Sequence, residues 1–518
     1  MSIMRRPWLF WSVLCFASIS AAQPAKAEQK TSLSLQDALN AALFSNWGVR
    51  IKSIAVERSG GALQQAIGAF DTNLSLNLSR TSDRRLLNDA EKPLLPGQSE
   101  NFGRGLSARA TLSRLLPSGL SVSSSVTTSQ NTDNLSSLSG MSSATNRSMA
   151  VTLTVPLARG SGSNFASASL AASKKDLEAS HAELRLAVSE TLRDVAVAYW
   201  DYLSTYRQAE IARLGEKRTG ETVREISKLI AADEIPAADL GLAIATHAER
   251  TNARLVAEQA LLEARLGLTG LMGVEFDKVT DLADPGERFP VASSVPAVKL
   301  DDLVSKVLER RSDWQSQKLQ VEALRERFRA YSDLARPQVD MGLSVSSAGL
   351  GEHESMSQVL IPFGGRFAGP SVAASISTQF PWKNDVALGQ LRQMKAELET
   401  AEIRLRSLHA DIAARLSSAV AEVRRSVTSL QGSSEVVNLY AKSLSNEQIK
   451  RRLGMSTLID VINVEDRYFR ALIDEVTRQR DYAVSLARLG HEVDSLVRKS
   501  GDRFELSLDD FLQLSAIP

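Results

Sequence analysis

One unbroken helical stripe, from Asn384 to about Arg452, constrains this chain more than any other feature. Apolar residues recur at Leu388, Leu391, Met394, Leu398, Ala401, Leu405, Leu408, Ile412, Leu416, Val420, Val423, Val427 and Leu430. Steps of three or four are the period of one helix face. At ~1.5 Å per residue, a run of about 70 residues reaches roughly 100 Å, several times the diameter of an ordinary domain. A helix of that length needs partner helices along it. A second stripe follows the break at Arg452-Leu453-Gly454-Met455 and carries Ile459, Ile462, Phe469, Ile473, Val476, Ala483 and Leu486 to about Glu492. The pair predicts an antiparallel hairpin with Gly454 at its tip.

The offsets within the chain show that this hairpin is not alone. Leu35-Gln36-Asp37-Ala38-Leu39 lines up with Leu300-Asp301-Asp302-Leu303-Val304 at an offset of 265, and the offset continues to Leu78 and Leu343. Further on, Leu177, Leu184, Asp239 and Leu268 match Leu398, Leu405, Asp460 and Leu489 at an offset of 221. The chain therefore reads as two copies of one unit, with 44 extra residues in the middle of the first. A Pro-rich segment from Asp284-Pro285-Gly286 to Pro296 separates them, so the expected division is 28–290 and 291–518. Each copy reads as helix, strands, long helix, tip and return helix. In the first copy the opening helix is expected over Leu35 to Ala69 and the long helix over Phe165 to Ile230. The tip of that copy falls near Asp233-Glu234-Ile235-Pro236.

Between the helices the period changes to two. Leu74, Leu76 and Leu78 alternate with Asn and Ser. Met149, Val151, Leu153 and Val155 alternate with Ser and Thr, and Val339, Met341, Leu343 and Val345 repeat the pattern. Such alternation suits strands with one apolar face, either of a membrane barrel or of an amphipathic soluble sheet. The extra residues hold two more alternating runs, Leu106 to Leu112 and Leu120 to Val126, joined by Leu116-Pro117-Ser118-Gly119. They read either as an added barrel hairpin or as a long extracellular loop.

Arg5 and Arg6 precede an apolar run from Trp8 to Ala22 and the sequence Ala25-Lys26-Ala27, which predicts a signal peptide over 1–27. The single cysteine, Cys15, lies inside that run, so disulfides are not expected in the mature chain. Beyond it no apolar run reaches 18 residues, so any membrane-spanning part is expected to be a β-barrel. With 61 basic and 60 acidic residues, the chain lacks the basic excess of a nucleic-acid binder.

The motifs of enzymes are missing. The histidines His181, His247, His353, His409 and His491 have no metal-ligand spacing and read mostly as solvated or loop residues. Gly160-Ser161-Gly162 and Gly364-Gly365 do not form a phosphate loop, and no nucleophile elbow occurs. Neither enzymatic activity nor a cofactor is expected. The aromatic patch Tyr199-Trp200 and Tyr202 in the first long helix reads as core packing at a mid-helix belt.

With these motifs the chain resembles the outer-membrane efflux protein (TolC-like) family. The resemblance rests on Leu33-Ser34-Leu35-Gln36-Asp37-Ala38-Leu39, on Thr154-Val155-Pro156-Leu157, and on Gly454-Met455-Ser456-Thr457-Leu458-Ile459-Asp460-Val461. It implies a mainly α fold with a membrane β-barrel. Three protomers would share one α-barrel and one β-barrel in the outer membrane, extending into the periplasm. The implied partners are a periplasmic adaptor, an inner-membrane transporter and outer-membrane lipid. The implied function is a passive exit duct for efflux or type I secretion. A periplasmic adaptor and a structural coiled coil of the envelope are the competing readings. The resemblance also maps Asp460 onto a pore-constricting aspartate, with Asn463 one turn later where the family has an acid. Asp239 maps onto an aspartate that ties the closed tips together, near Pro236. Ser456 stands where its basic partner belongs, leaving Lys450, Arg451 or Arg452 as substitutes. Helix capping is the alternative role for both aspartates.

Overall fold

The computed structural model of the chain describes residues 32–135, 144–233, 238–274, 282–293, 300–352, 366–500 and 503–505. In chain order the first copy contributes α1 (Leu35–Ser45), α2 (Trp47–Gly68), β1 (Asn73–Leu86), β2 (Glu100–Leu115), β3 (Ser121–Asp133) and β4 (Ala144–Pro156). A short turn of helix, α3 (Ser163–Ala166), then leads into α4 (Ala168–Ala231) and α5 (Ala238–Met272). The second supplies α6 (Leu300–Arg310), α7 (Ser312–Leu334), β5 (Gln338–Glu352), β6 (Arg366–Phe367), β7 (Ser371–Gln379), α8 (Asp385–Arg452) and α9 (Leu458–Glu492). A small ribbon, β8 (Arg498–Ser500) and β9 (Arg503–Glu505), follows.

The opening helix is not continuous as expected. Asn46 adopts an extended backbone (φ −63, ψ 127), and its side-chain oxygen accepts the N–H groups of Gly48 at 2.8 Å and Val49 at 3.1 Å. An N-cap this well satisfied starts a new helix, because Asn competes with the ladder for the local donors. Its Nδ2 donates to the Leu271 carbonyl at 2.7 Å, tying the break to the end of α5. Arg311, 265 positions on, breaks the second copy in the same conformation (φ −60, ψ 124). Gly273 (φ 70) and Asp494 (φ 53), 221 apart, both end their return helices left-handed.

The core sits at this level. Tyr199, Trp200, Tyr202, Leu192 and Leu203 of α4 pack with Leu35 and Leu39 of α1, Leu268 of α5 and Ala483 of α9. Tyr199 donates to the Leu33 carbonyl at 3.0 Å and Tyr202 to the Ala283 carbonyl at 3.3 Å. These large side chains are fully buried while their hydroxyls are satisfied, as packing of amphipathic aromatics requires. The segment between the copies pairs back on the start of the described chain, with Leu33 donating to Asp284 and Gly286 to Leu33.

From this belt the helices run both ways. Toward the sheet they lie in the order α2, α4, α7, α8; away from it the order is α5, α4, α9, α8. All long strands pair antiparallel, in the order β1-β2-β3-β4-β5-β7, with the two-residue β6 beside the far end of β5. The runs from Leu106 and Leu120 are therefore strands of this sheet, β2 and β3, rather than an extracellular loop. Their turn uses Gly119 at φ 88, where a side chain would be strained. Among the described residues copy one supplies four long strands and copy two supplies two.

Candidate functional site

The register assigns each strand residue to a face. Starting from Leu74↔Leu112, pairing carries one face through Leu76, Leu78, Ala110, Ala108, Leu106, Val126, Val122, Met149, Val151 and Leu153 to Leu343, Val345, Val372 and Ile376. Leu74, Leu76, Leu78, Val372 and Ile376 are all more than 60% exposed, an apolar surface no water-facing sheet leaves open. The opposite face is built from Ser75, Ser79, Ser107, Thr111, Ser123, Ser125, Thr127, Thr152, Ser344 and Ser375. At this depth its charges, among the described residues, are Arg109 and Asp340. Arg109 donates to the Thr127 hydroxyl at 3.2 Å. An apolar band on one side and hydroxyls on the other is the chemistry of a membrane strand with an aqueous face.

The wall is open at both ends. Among the described residues β1 pairs only with β2, and at the other edge β7 pairs only with β5. The helical tiers end in the same way. Trp47, Ile51 and Ile54 of α2 and Leu242, Val256 and Leu262 of α5 are exposed on one side. Val386, Ile403, Val436 and Leu439 of α8 are exposed on the other. With six long strands among the described residues, β1 and β7 run antiparallel to each other, so the two edges can pair between copies in the antiparallel sense.

At the far end of the helices, Gly454 (φ 74) closes the second hairpin. Its N–H reaches the Arg451 carbonyl and the Met455 N–H reaches the Lys450 carbonyl, a glycine-terminated helix end. Asp460 lies in the first turn of α9 as the second half of a capping box. Its Oδ2 accepts from the Thr457 N–H at 3.0 Å and hydroxyl at 2.6 Å, while Thr457 Oγ1 accepts the Asp460 N–H at 3.2 Å. These bonds hold its carboxyl below the usual carboxylate range. The side chain is exposed, as is Asn463. Capping thus occupies one carboxylate oxygen and leaves the charge facing solvent.

Two of the candidate partners make ion pairs within the chain. Lys450 pairs with Glu447 at 3.0 Å within its own helix, and Arg451 reaches Glu225 of α4 at 2.9 Å. Arg452 is exposed. Asp239 lies in the first turn of α5, and Pro236 falls outside the described residues.

Sequence reasoning missed the tie that joins the two hairpins above the tips. Arg250 of α5 bonds Asp466 of α9 at 2.5 Å, and Arg218 of α4 bonds Glu465 of α9 at 3.3 Å. Both guanidiniums lie over the ring of the buried Phe469, at 5.4 and 5.8 Å. A small cavity of about 20 Å³, close to the size of one water, lies beside Arg250 and Phe469, with Thr219, Thr246, Glu465 and Asp466 also in its lining. The signal was present as Glu465-Asp466 two turns past Leu458, but adjacent acids on a helix read as a solvated face until a partner helix is known. Higher up, Arg480 bonds Asp201 at 2.5 Å across the same α4–α9 seam.

A second charged cluster lies in the belt, where His491 departs from its expected exposure. It is 5% exposed and shares a hydrogen bond with Ser189 at 2.9 Å. Burial, then the nearby Arg193 and Arg311, push its imidazole down to about 3. Arg311 is 3% exposed and bonds Asp313 and Glu492, both at 2.7 Å. Asp494, which accepts from Ser312 at 3.3 Å, is pushed up to about 6, chiefly by burial. Among the described residues no group of His, Cys, Asp and Glu is arranged to hold a metal, and no helix is long and apolar enough to cross a membrane.

A two-faced sheet, a belt and two long helical hairpins, the second closed by Gly454, define the fold of the TolC-like outer-membrane efflux channels. Among solved structures the chain is similar to the outer-membrane channel OprN, with TM-score 0.66, 14% identity, and 89% of this chain and 90% of that one covered. It is likewise similar to the outer-membrane channel CmeC of Campylobacter jejuni, with TM-score 0.67, 11% identity, and coverage of 95% and 94%. For the outer-membrane protein VceC of Vibrio cholerae the values are 0.63, 14%, 89% and 95%. No family model matches the sequence, and no curated protein does.

Proposed function

We propose that the chain is the outer-membrane exit duct of a tripartite efflux or type I secretion system. Two structural repeats, 28–290 and 291–518, follow a signal peptide, and the chain works as a homotrimer. The observation that carries this reading is that sheet and both helical tiers end in open edges on the same two sides. A wall of this kind closes by pairing the β1, α2 and α5 edge of one copy with the β7 and α8 edge of the next, a heterologous contact that forms a ring. Three copies bring together roughly 18 strands, a number at which barrels leave an aqueous channel. The Ser- and Thr-rich face would then line the lumen, and the apolar face would meet lipid.

In this reading the hairpins converge toward the periplasmic end, where Asp460 and Asn463 approach the axis and Asp239 lies near it. The ties from Arg250 and Arg218 to α9 hold the two hairpins of a protomer together, and release of these ties opens the end. An adaptor and an inner-membrane transporter supply energy and cargo, consistent with a chain that carries no nucleotide motif. Adaptor and coiled-coil readings give no role to six paired strands with one apolar face. Imaging detergent-extracted protein by electron microscopy tests the proposal: a three-fold ring with a continuous barrel supports it, and a monomeric or dimeric particle refutes it.

A further inference from the structure

The apolar face of the sheet ends in arginine on the side away from the helices. On β1 the run Leu74, Leu76, Leu78 is followed on the same face by Arg80 and Arg84, and on β2 the run Leu112, Ala110, Ala108, Leu106 is followed by Arg104. The register pairs Arg80 with Leu106, Ser82 with Arg104 and Arg84 with Phe102. Arg104 is therefore the diagonal neighbour of both other arginines, about 7–8 Å away between side-chain origins. All three are exposed. Arg84 lies over the Phe102 ring at 4.9 Å, which holds its guanidinium beside an aromatic at the edge of the apolar band.

Three like charges so close repel unless an anion lies among them, and among the described residues no carboxylate does. Glu100 shares the face beyond Phe102 but makes no ion pair among the described residues, and Asp83 points to the other face. The loop carboxylates are engaged elsewhere, Glu91 with Arg85 at 2.6 Å and Asp89 with Lys92 at 2.6 Å. A cation on a lipid-facing strand is tolerated near the interface, not at mid-membrane. At that depth the group it meets is the phosphate of a lipid head group, which a guanidinium binds with two parallel hydrogen bonds.

We propose that Arg80, Arg84 and Arg104 form a binding site for the phosphorylated head group of an outer-leaflet lipid. The inference rests on the apolar face meeting lipid, as in the duct reading above. The site anchors the outer rim of the barrel and sets its height in the membrane.

The test uses the full chain in phosphatidylcholine nanodiscs doped with diphosphorylated lipid A, with retained lipid measured by mass spectrometry after detergent washing. Wild type is expected to retain lipid A about tenfold better than the R80Q/R84Q/R104Q variant, a difference of roughly 1.4 kcal/mol. R109Q, on the opposite face, should retain it like wild type. Retention should also fall when the lipid A is dephosphorylated. Titration with inorganic phosphate should show no binding of comparable strength. Equal retention by wild type and the triple variant, equal loss in R109Q, indifference to dephosphorylation, or tight binding of free phosphate would each overturn the proposal. If the triple variant does not assemble, R104Q alone is read in its place, with reduced retention expected and unchanged retention refuting. A wild-type chain that forms no membrane trimer defeats the duct reading, whereas a trimer that retains lipid A without these arginines defeats only the head-group site.

Discussion

Replacing Arg250 by glutamine tests whether the tie between the hairpins holds the periplasmic end closed. Arg250 is 17% exposed at its side chain and makes one charge-assisted bond to Asp466, itself 31% exposed. Bonds to charged groups contribute roughly 1.5–3 kcal/mol when shielded. Partial exposure places this one near the low end, and stacking on Phe469 adds about 0.5–1 kcal/mol. Asp466 keeps a second partner, Arg470 at 2.7 Å, so removing Arg250 does not strand a carboxylate. The net loss is about 2 kcal/mol per protomer, more than a tenfold shift in a two-state equilibrium. If the tie exists only when the end is closed, R250Q should raise single-channel open probability in planar bilayers at least about tenfold. D466N should do the same. The double variant should fall short of the sum of the two, because both remove one interaction. Wild-type opening in both single variants, or strict additivity in the double, would refute the assignment.

Charge without loss of the cap is isolated by D460N, which keeps an acceptor for Thr457; reduced cation selectivity with the trimer intact is expected, and unchanged selectivity would leave Asp460 as a cap alone. On the sheet, A110R places a cation near the middle of the apolar band at roughly 2–4 kcal/mol and should impair assembly, whereas T111R on the hydroxyl face should be tolerated; equal yields of folded trimer would contradict the face assignment. In the belt, His491 stays neutral down to about 3 while an unfolded histidine binds its proton near 6.5, so the stability it contributes is present above pH 6.5 and is lost as the pH falls toward 3. H491Q should flatten that acid limb in thermal melts, and an unchanged limb would argue against it. Asp494 has the opposite sign: its raised value, about 6, gives stability that is full below pH 3.8 and lost as the pH rises through 6, so D494N should gain melting temperature at pH 7 and gain little at pH 4.

Periodicity alone determined the long helices, the tip at Gly454 and the alternating strands, because 3.6- and 2-residue repeats are local properties of the chain. The hairpin of β2 and β3 was visible as two alternating runs, but nothing local says whether such a hairpin joins a sheet or stands above it. Only its pairing with β1 and β4 decided that. The break at Asn46 was likewise written in a good capping residue, yet the apolar stripe runs across it. The bond from Asn46 to the end of α5, a contact 225 residues away, accompanies the turn there. The aromatic patch of Tyr199, Trp200 and Tyr202 is legible as core because large rings at helical spacing need burial wherever they lie. His491, Arg311 and Asp494 were illegible for the converse reason, since a polar residue's burial is set by what packs over it. The same holds for Arg250 and Asp466, which stand 216 residues apart and meet only because α4 brings α5 and α9 to its two sides. Local pattern decides the element and its exposed face; which charges share a junction is decided by distances between elements, which no short stretch of sequence encodes.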